Sequence, residues 1–168
     1  MQTAIVLGLG KDYKMRYNIN MEELIQLLRV VLSDMVVLKF KAHGYHWNVE
    51  GDDFPQYHDF FADIYEDYDG SIDTFAEWIR KLGDYAPYKL SRFQAFSDIP
   101  ETDVTSDPVA MSADLLAAND AVTVKLLAGF DMATGLRQQA LANFFAERQD
   151  MHQRWHWMLG AVVKQTAD

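Results

Sequence analysis

An all-α chain is predicted: a four-helix bundle with a short helix in the crossover between its second and third long helices. Three observations predict it. Long stretches carry apolar residues at three- and four-residue spacing, no segment alternates at period two, and the breaks hold Pro87, Pro100, Gly51 and Gly83. With 168 residues, 49% hydrophobic and 24% charged, the composition is that of one globular domain rather than a disordered or fibrous chain. The expected organisation is a tail over 1–19 followed by the bundle over 20–165.

The first helix starts where Asn20 caps and Glu23 reaches back to the cap amide. Leu24, Leu28, Val31, Met35 and Leu38 form one apolar line, and Ile25, Leu27, Val30, Leu32, Val36 and Val37 fill other faces. A helix apolar nearly all round is a central one. Gly51 stops it near Glu50. Asp53 then caps a second helix with Pro55 in its first turn. Its stripe is clean: Phe61, Tyr65, Tyr68, Ile72, Phe75, Ile79 and Leu82, up to Gly83. The crossover contains a short helix over 90–96. A third long helix is expected from a Ser112 cap to about Phe130, with Leu115, Leu116, Val122, Leu126 and Leu127 inward. The fourth is expected from about Gly135 to Lys164, through Leu141, Phe144, Phe145, Trp155, Met158, Leu159 and Val162.

Composition narrows the chemistry. There is no cysteine, so disulfides, thiolate ligands and a cysteine nucleophile are excluded. Any metal is held by His, carboxylate or backbone oxygen, which suits iron, manganese or zinc. A net charge of −10 opposes non-specific binding to phosphate backbones and suits attraction of cations. No apolar run reaches the roughly 18 residues that span a bilayer. Ala4 to Leu9 is short and has no basic residue before it, so the expectation is a soluble, cytoplasmic protein. Gly8-Leu9-Gly10 lacks the third glycine of a dinucleotide loop.

Two features carry chemistry. The first helix ends in Lys41-Ala-His-Gly-Tyr-His46-Trp-Asn-Val-Glu-Gly51, and the second carries His58 early with Asp73 and Glu77 late. Asp73 and Glu77 share a helical face, and paired carboxylates with histidine in a bundle are the ligand set of a non-haem di-iron site. His58 and Asp73 sit fifteen residues apart on one helix, which separates them by roughly 22 Å along its axis. No ion spans that gap, since ligands lie about 2 Å from a metal. Either the two belong to different sites or they meet across a two-fold axis between two copies. In that second arrangement His46 and His58 of one copy face Asp73 and Glu77 of the other.

At these residues the chain resembles the Dps family, the mini-ferritins of the ferritin-like superfamily. The match runs through His46-Trp-Asn-Val-x-Gly51, Phe54, His58, Phe61, Asp73 and Ala76-Glu77-x-Ile79-Arg80-x-Leu82-Gly83, with a second patch at Trp157-Met158-Leu159. It covers about Met21 to Val163. The resemblance implies a dodecameric shell built from two-fold dimers. Its members oxidise Fe(II) with hydrogen peroxide or dioxygen and store the ferric mineral, which protects against oxidative damage. The ligands carried over are His46, His58, Asp73 and Glu77, with iron as the metal and zinc or manganese as substitutes.

The chain departs from the family pattern in three places. The usual Asp one turn after the second histidine is Ala62, which weakens a second iron position; His43, three residues before His46, is the candidate replacement. Acidic pore positions of the last helix align with Gln138, Asn143 and Glu147, leaving one carboxylate to draw Fe(II) in. The basic tail is thin (Lys11, Lys14, Arg16), and a dodecamer at −10 per chain carries about −120, so DNA binding is expected to be weak or absent. Two alternatives stay open: a structural or DNA-protecting shell with a degraded site, and a zinc- or manganese-buffering cage. A lone His46 would read as structural, Glu77 would read as the partner of Arg80 or Lys81, and His152 with His156 would read as an incidental surface pair. Tyr45 and Trp47 read as core packing, with scavenging of oxidising equivalents as a second role.

Overall fold

In the computed structural model, residues 11–103 and 105–164 are described, with side chains from residue 21 onward. They form α1 (Lys11–Asn48), α2 (Phe54–Lys81), α3 (Leu90–Phe96), α4 (Pro108–Gly135) and α5 (Gln139–Lys164), with no strand among them. The predicted all-α bundle with its crossover helix is the fold observed. α1 runs back to Lys11, ahead of the cap expected at Asn20, whose side chain lies outside the described residues, as do residues 1–10 of the expected tail and the side chains of Lys11, Lys14 and Arg16.

α2 ends as its sequence demands. Gly83 takes φ +96°, its amide donates to Arg80 O at 3.0 Å, and the Asp84 amide donates to Ile79 O at 3.2 Å. That double bond satisfies the last carbonyls and needs a residue without a Cβ at the turn. Asp53 flanks the other end without capping it through its side chain; Pro55 fills the first turn instead.

The start of α4 corrects the expectation. Ser112 is not a cap: it is buried inside the helix and its hydroxyl donates back to Pro108 O at 2.7 Å. Asp107 caps, accepting from the Val109 amide at 2.9 Å, with Pro108 next to it. An N-terminal proline whose missing amide costs nothing outweighs a serine four residues later. Leu127 is also corrected, being 52% exposed rather than inward.

The Glu50 amide donates to Ser106 O at 3.0 Å, so α4 begins beside the end of α1 and runs back along it. α1 and α5 therefore point one way and α2 and α4 the other. The shared core is completely buried at Leu24, Leu28, Met35, Phe61, Tyr68, Phe75, Val122, Leu126, Phe145 and Leu159. Each such side chain contributes about 1.5–3 kcal/mol of transfer free energy. α4 and α5 approach so closely that a Cβ on Gly129 would fall 2.4 Å from the Phe145 ring. α3 lies on α1, and the crossover is fastened by Asp34, which is fully buried. Asp34 accepts from Ser97 Oγ at 2.8 Å and the Asp98 amide at 2.9 Å, and pairs with Lys125 at 2.6 Å. Burial alone would lower the Lys125 pKa, but its bonds and charge contacts with Asp34 and Asp98 raise it, so the ammonium stays charged.

Candidate metal centre

The end of α1 and the start of α2 place His46 and His58 face to face. Their ring centroids lie 3.6 Å apart with planes tilted by 25°. The bonding around them is reciprocal. His46 Nδ1–H donates to His58 O at 2.7 Å, and His58 Nδ1–H donates to His46 O at 2.8 Å. A carbonyl oxygen only accepts, so in the neutral rings the proton sits on Nδ1 and each Nε2 keeps its lone pair. His46 O is available because α1 stops at Asn48, and the Glu50 amide that would have bonded it turns to Ser106. A histidine that spends one nitrogen on a carbonyl and leaves the other free is oriented as metal-ligating histidines are.

Aromatic neighbours hold the pair. Phe54 lies 5.0 Å from the His58 ring and Tyr65 meets His46 edge-on at 5.4 Å. Beneath it, Tyr45 and Lys41 both donate to Asp114 Oδ2 at 2.5 Å, tying the end of α1 to α4. Burial, and then the bond to Asp114, push the Tyr45 phenol well above its usual range. Tyr45 is core packing, as expected. Trp47 is not: it is 61% exposed and lies against His43 at 4.2 Å.

The other two predicted ligands stand elsewhere in the same chain. Asp73 and Glu77 are exposed on α2, and Glu77 Oε2 pairs with Lys81 Nζ at 3.1 Å. α2 is unbroken from Phe54 to Lys81, so the roughly 22 Å between His58 and Asp73 stands. Within one chain, and among the described residues, no three His, Asp or Glu side chains gather closely enough to hold an ion. Ala62 has no ligating atom, and Asp63, one residue on, is exposed. His43 stacks its ring on Tyr65 at 4.1 Å and stands 6.0 Å from His46. Burial, and then the charge of Lys39, lower its pKa.

A second group of polar residues was not singled out from the sequence. Asp67 lies off the apolar stripe of α2, yet it receives both Arg148 nitrogens, at 2.9 and 2.8 Å, and the Trp155 indole at 2.8 Å. His152 is fully buried beside them, stacked on Tyr68 at 5.5 Å. Neither of its ring nitrogens finds a partner among the described residues. Burial, and then the Arg148 charge, push its pKa down to about 3. His152 and His156 are thus no surface pair, since His156 is exposed and bonded to Asp120 at 2.7 Å. The available signal was Arg148 and His152 four residues apart on the inward side of α5, a polar pair where apolar residues belong.

Similarity to known proteins points the same way. The profile described as a ferritin-like domain matches residues 25–168. Antigen TpF1 of Treponema pallidum is 36% identical over 74 residues, 44% of this chain and 42% of its own length, so the match spans less than half of that relative. The DNA protection during starvation protein of Brevibacillus brevis is 28% identical over 140 residues, 82% of this chain and 93% of that protein. Among solved structures, TpF1 superposes with a TM-score of 0.83 at 25% identity, covering 86% of this chain and 94% of TpF1. A Dps protein from Bacillus brevis gives 0.81 at 25% identity, covering 84% and 95%. A Dps protein from Vibrio cholerae O1, described as a member of a broad superfamily of ferritin-like diiron-carboxylate proteins, shares the fold with a TM-score of 0.81 at 22% identity, covering 84% and 89%. Among the described residues no helix is long and apolar enough to cross a membrane.

Proposed function

We propose, because this chain belongs to the ferritin-like domain family and is one of its Dps-type members, that it oxidises Fe(II) and stores the ferric product inside a dodecameric cytoplasmic cage. The domain carrying this role is the bundle over 20–165. Its sites lie between subunits: His46 and His58 of one copy with the partner's Asp73 and Glu77. The observation that carries this reading is the pair of Nδ1 bonds, which leaves the Nε2 lone pair of each ring available near the end of α1. The unbroken length of α2 then makes a second copy necessary to bring carboxylates to them.

Fe(II) is the substrate here. Each Fe(II) gives up one electron, so two are consumed per hydrogen peroxide, which is reduced to water as two protons are taken up. Imidazole and carboxylate suit this chemistry because the carboxylates neutralise the growing charge of the ferric product. Glu77 must leave Lys81 to do so, which is a small cost for an exposed pair. Zinc or manganese fits the same donors. DNA plays little part, given the net charge of −10.

Ala62 favours one rival reading, a structural or DNA-protecting shell with little redox chemistry. Peroxide-driven Fe(II) oxidation, followed by absorbance of the ferric product, separates the two. The wild-type assembly should exceed the protein-free blank, and a His46→Ala/His58→Ala assembly should fall to it. A wild-type rate equal to the blank rejects the ferroxidase reading and leaves the shell and the zinc- or manganese-buffering cage.

A further inference from the structure

Midway along α1, where the chain turns from α2 into α3, lies an open polar recess of about 550 Å3. Its walls carry Arg29, Lys89 and Arg92, with Tyr85, Tyr88 and Phe96 between them. Asp84 neutralises Arg29 through an ion pair at 2.5 Å. Lys89 and Arg92 are exposed and pair with no carboxylate among the described residues. The recess therefore holds two uncompensated cations in a chain of net charge −10. Tyr85 and Tyr88 are 78% and 82% exposed, a large aromatic area to leave against water. Arg80 lies 4.2 Å from the Tyr85 ring and Arg92 lies 5.5 Å from the Phe96 ring, so two of the aromatic rings lining the recess already carry a guanidinium.

Such a wall selects its ligand by two chemistries at once. Two free cations match a phosphomonoester, which carries about −1.5 to −2 at neutral pH. A guanidinium forks onto phosphate oxygens where an ammonium offers a point charge, and Arg92 and Lys89 supply one of each. Exposed phenol rings offer stacking faces to a heteroaromatic base. A divalent cation is repelled by this lining, and a simple carboxylate would leave the tyrosines unused. We propose that the recess binds a nucleoside monophosphate, with its phosphate on Arg92 and Lys89 and its base against Tyr88. Arg29 precedes His46 by seventeen residues, about 25 Å along the helix, so the recess stands apart from the histidine half of the iron site; Arg80, against Tyr85, follows Glu77 by three residues, so the carboxylate half lies one helical turn away.

Calorimetric titration of the assembled protein with adenosine monophosphate, inorganic phosphate and adenosine tests this. Adenosine monophosphate should saturate a single site per chain, with phosphate and adenosine each about tenfold weaker. Arg92→Gln and Lys89→Gln should each weaken the nucleotide about tenfold, the loss expected for one charged hydrogen bond. Tyr88→Ala should weaken the nucleotide and leave phosphate unchanged. All three side chains are exposed, so the variants should assemble normally, checked by circular dichroism and sizing. Absence of saturable nucleotide binding, or equal affinity in both cation variants and the wild type, overturns the proposal. Phosphate binding as tightly as the nucleotide overturns the base-stacking assignment.

Discussion

His46 and His58 differ from His152 in what their nitrogens do. Each of the first two gives Nδ1 to a backbone carbonyl and leaves Nε2 free, in a half-exposed position. His152 is sealed in the bundle with neither nitrogen bonded among the described residues, beside the Asp67–Arg148 pair. In sequence all three are single histidines on apolar helices. The lesson is that a carbonyl on one ring nitrogen orients a histidine and keeps the other available to a ligand, whereas burial without a partner ties a histidine to folding. The first region should thus govern chemistry with little effect on folding, and the second the reverse.

The largest effect expected on the buried side follows removal of Asp67. Asp67→Ala leaves the Arg148 guanidinium buried without its partner, which costs about 3–5 kcal/mol. Urea denaturation should show that loss, and a change within error would break the contrast by making the pair dispensable.

Acid should sharpen the contrast next. Burial, and then the Arg148 charge, push the His152 pKa down to about 3 from its ordinary 6.5. The unfolded chain therefore takes up a proton that the folded one refuses. The stability this neutral ring preserves is fully present above pH 6.5, and it falls by up to about 1.4 kcal/mol per pH unit as pH drops toward 3. Asp67 does not mask this. Burial raises its pKa, but the Arg148 bond and charge outweigh that and hold it below 3.8, so its own loss begins under that pH. His152→Phe should flatten the slope between pH 6.5 and 4; an unchanged slope would mean that other groups carry it.

The smallest effect is expected at His43. Its ring is packed between Trp47 and Tyr65. His43→Ala should leave Fe(II) oxidation within about twofold of wild type, as for a group outside the ligand set. A fall to the blank would place His43 among the ligands.

Much of the fold was legible because apolar spacing marks the inward face of each helix: the α2 stripe from Phe61 to Ile79 and the short helix over 90–96 stand where the pattern put them. What failed depended on local competition. Ser112 and Asp107 are both good caps in isolation, and Pro108 decided between them. Trp47 has core chemistry but lies on the exposed side of an α1 end whose Tyr45 and Val49 are buried, and residue type does not report which side a neighbour covers. At the candidate site, residue types, helix length and the family resemblance pointed to His46, His58, Asp73 and Glu77 and to a second copy; the structure brings His46 and His58 together and leaves Asp73 and Glu77 apart on α2. The reciprocal Nδ1 bonds were not legible, since they depend on where the chain breaks between α1 and α2. Nor was the Asp67–Arg148 pair, whose members lie on different helices.

The claim that the site is built from two copies is tested most directly by mixing two dead chains. One carries His46→Ala/His58→Ala, the other Asp73→Asn/Glu77→Gln, and each alone should oxidise Fe(II) at the blank rate. Unfolded together and reassembled, they should form mixed dimers holding one intact site and one doubly defective site. For random pairing this restores about a quarter of wild-type activity. Mixed assemblies that stay at the blank rate, with dimer exchange verified, would contradict a shared site, as would full activity in either variant alone.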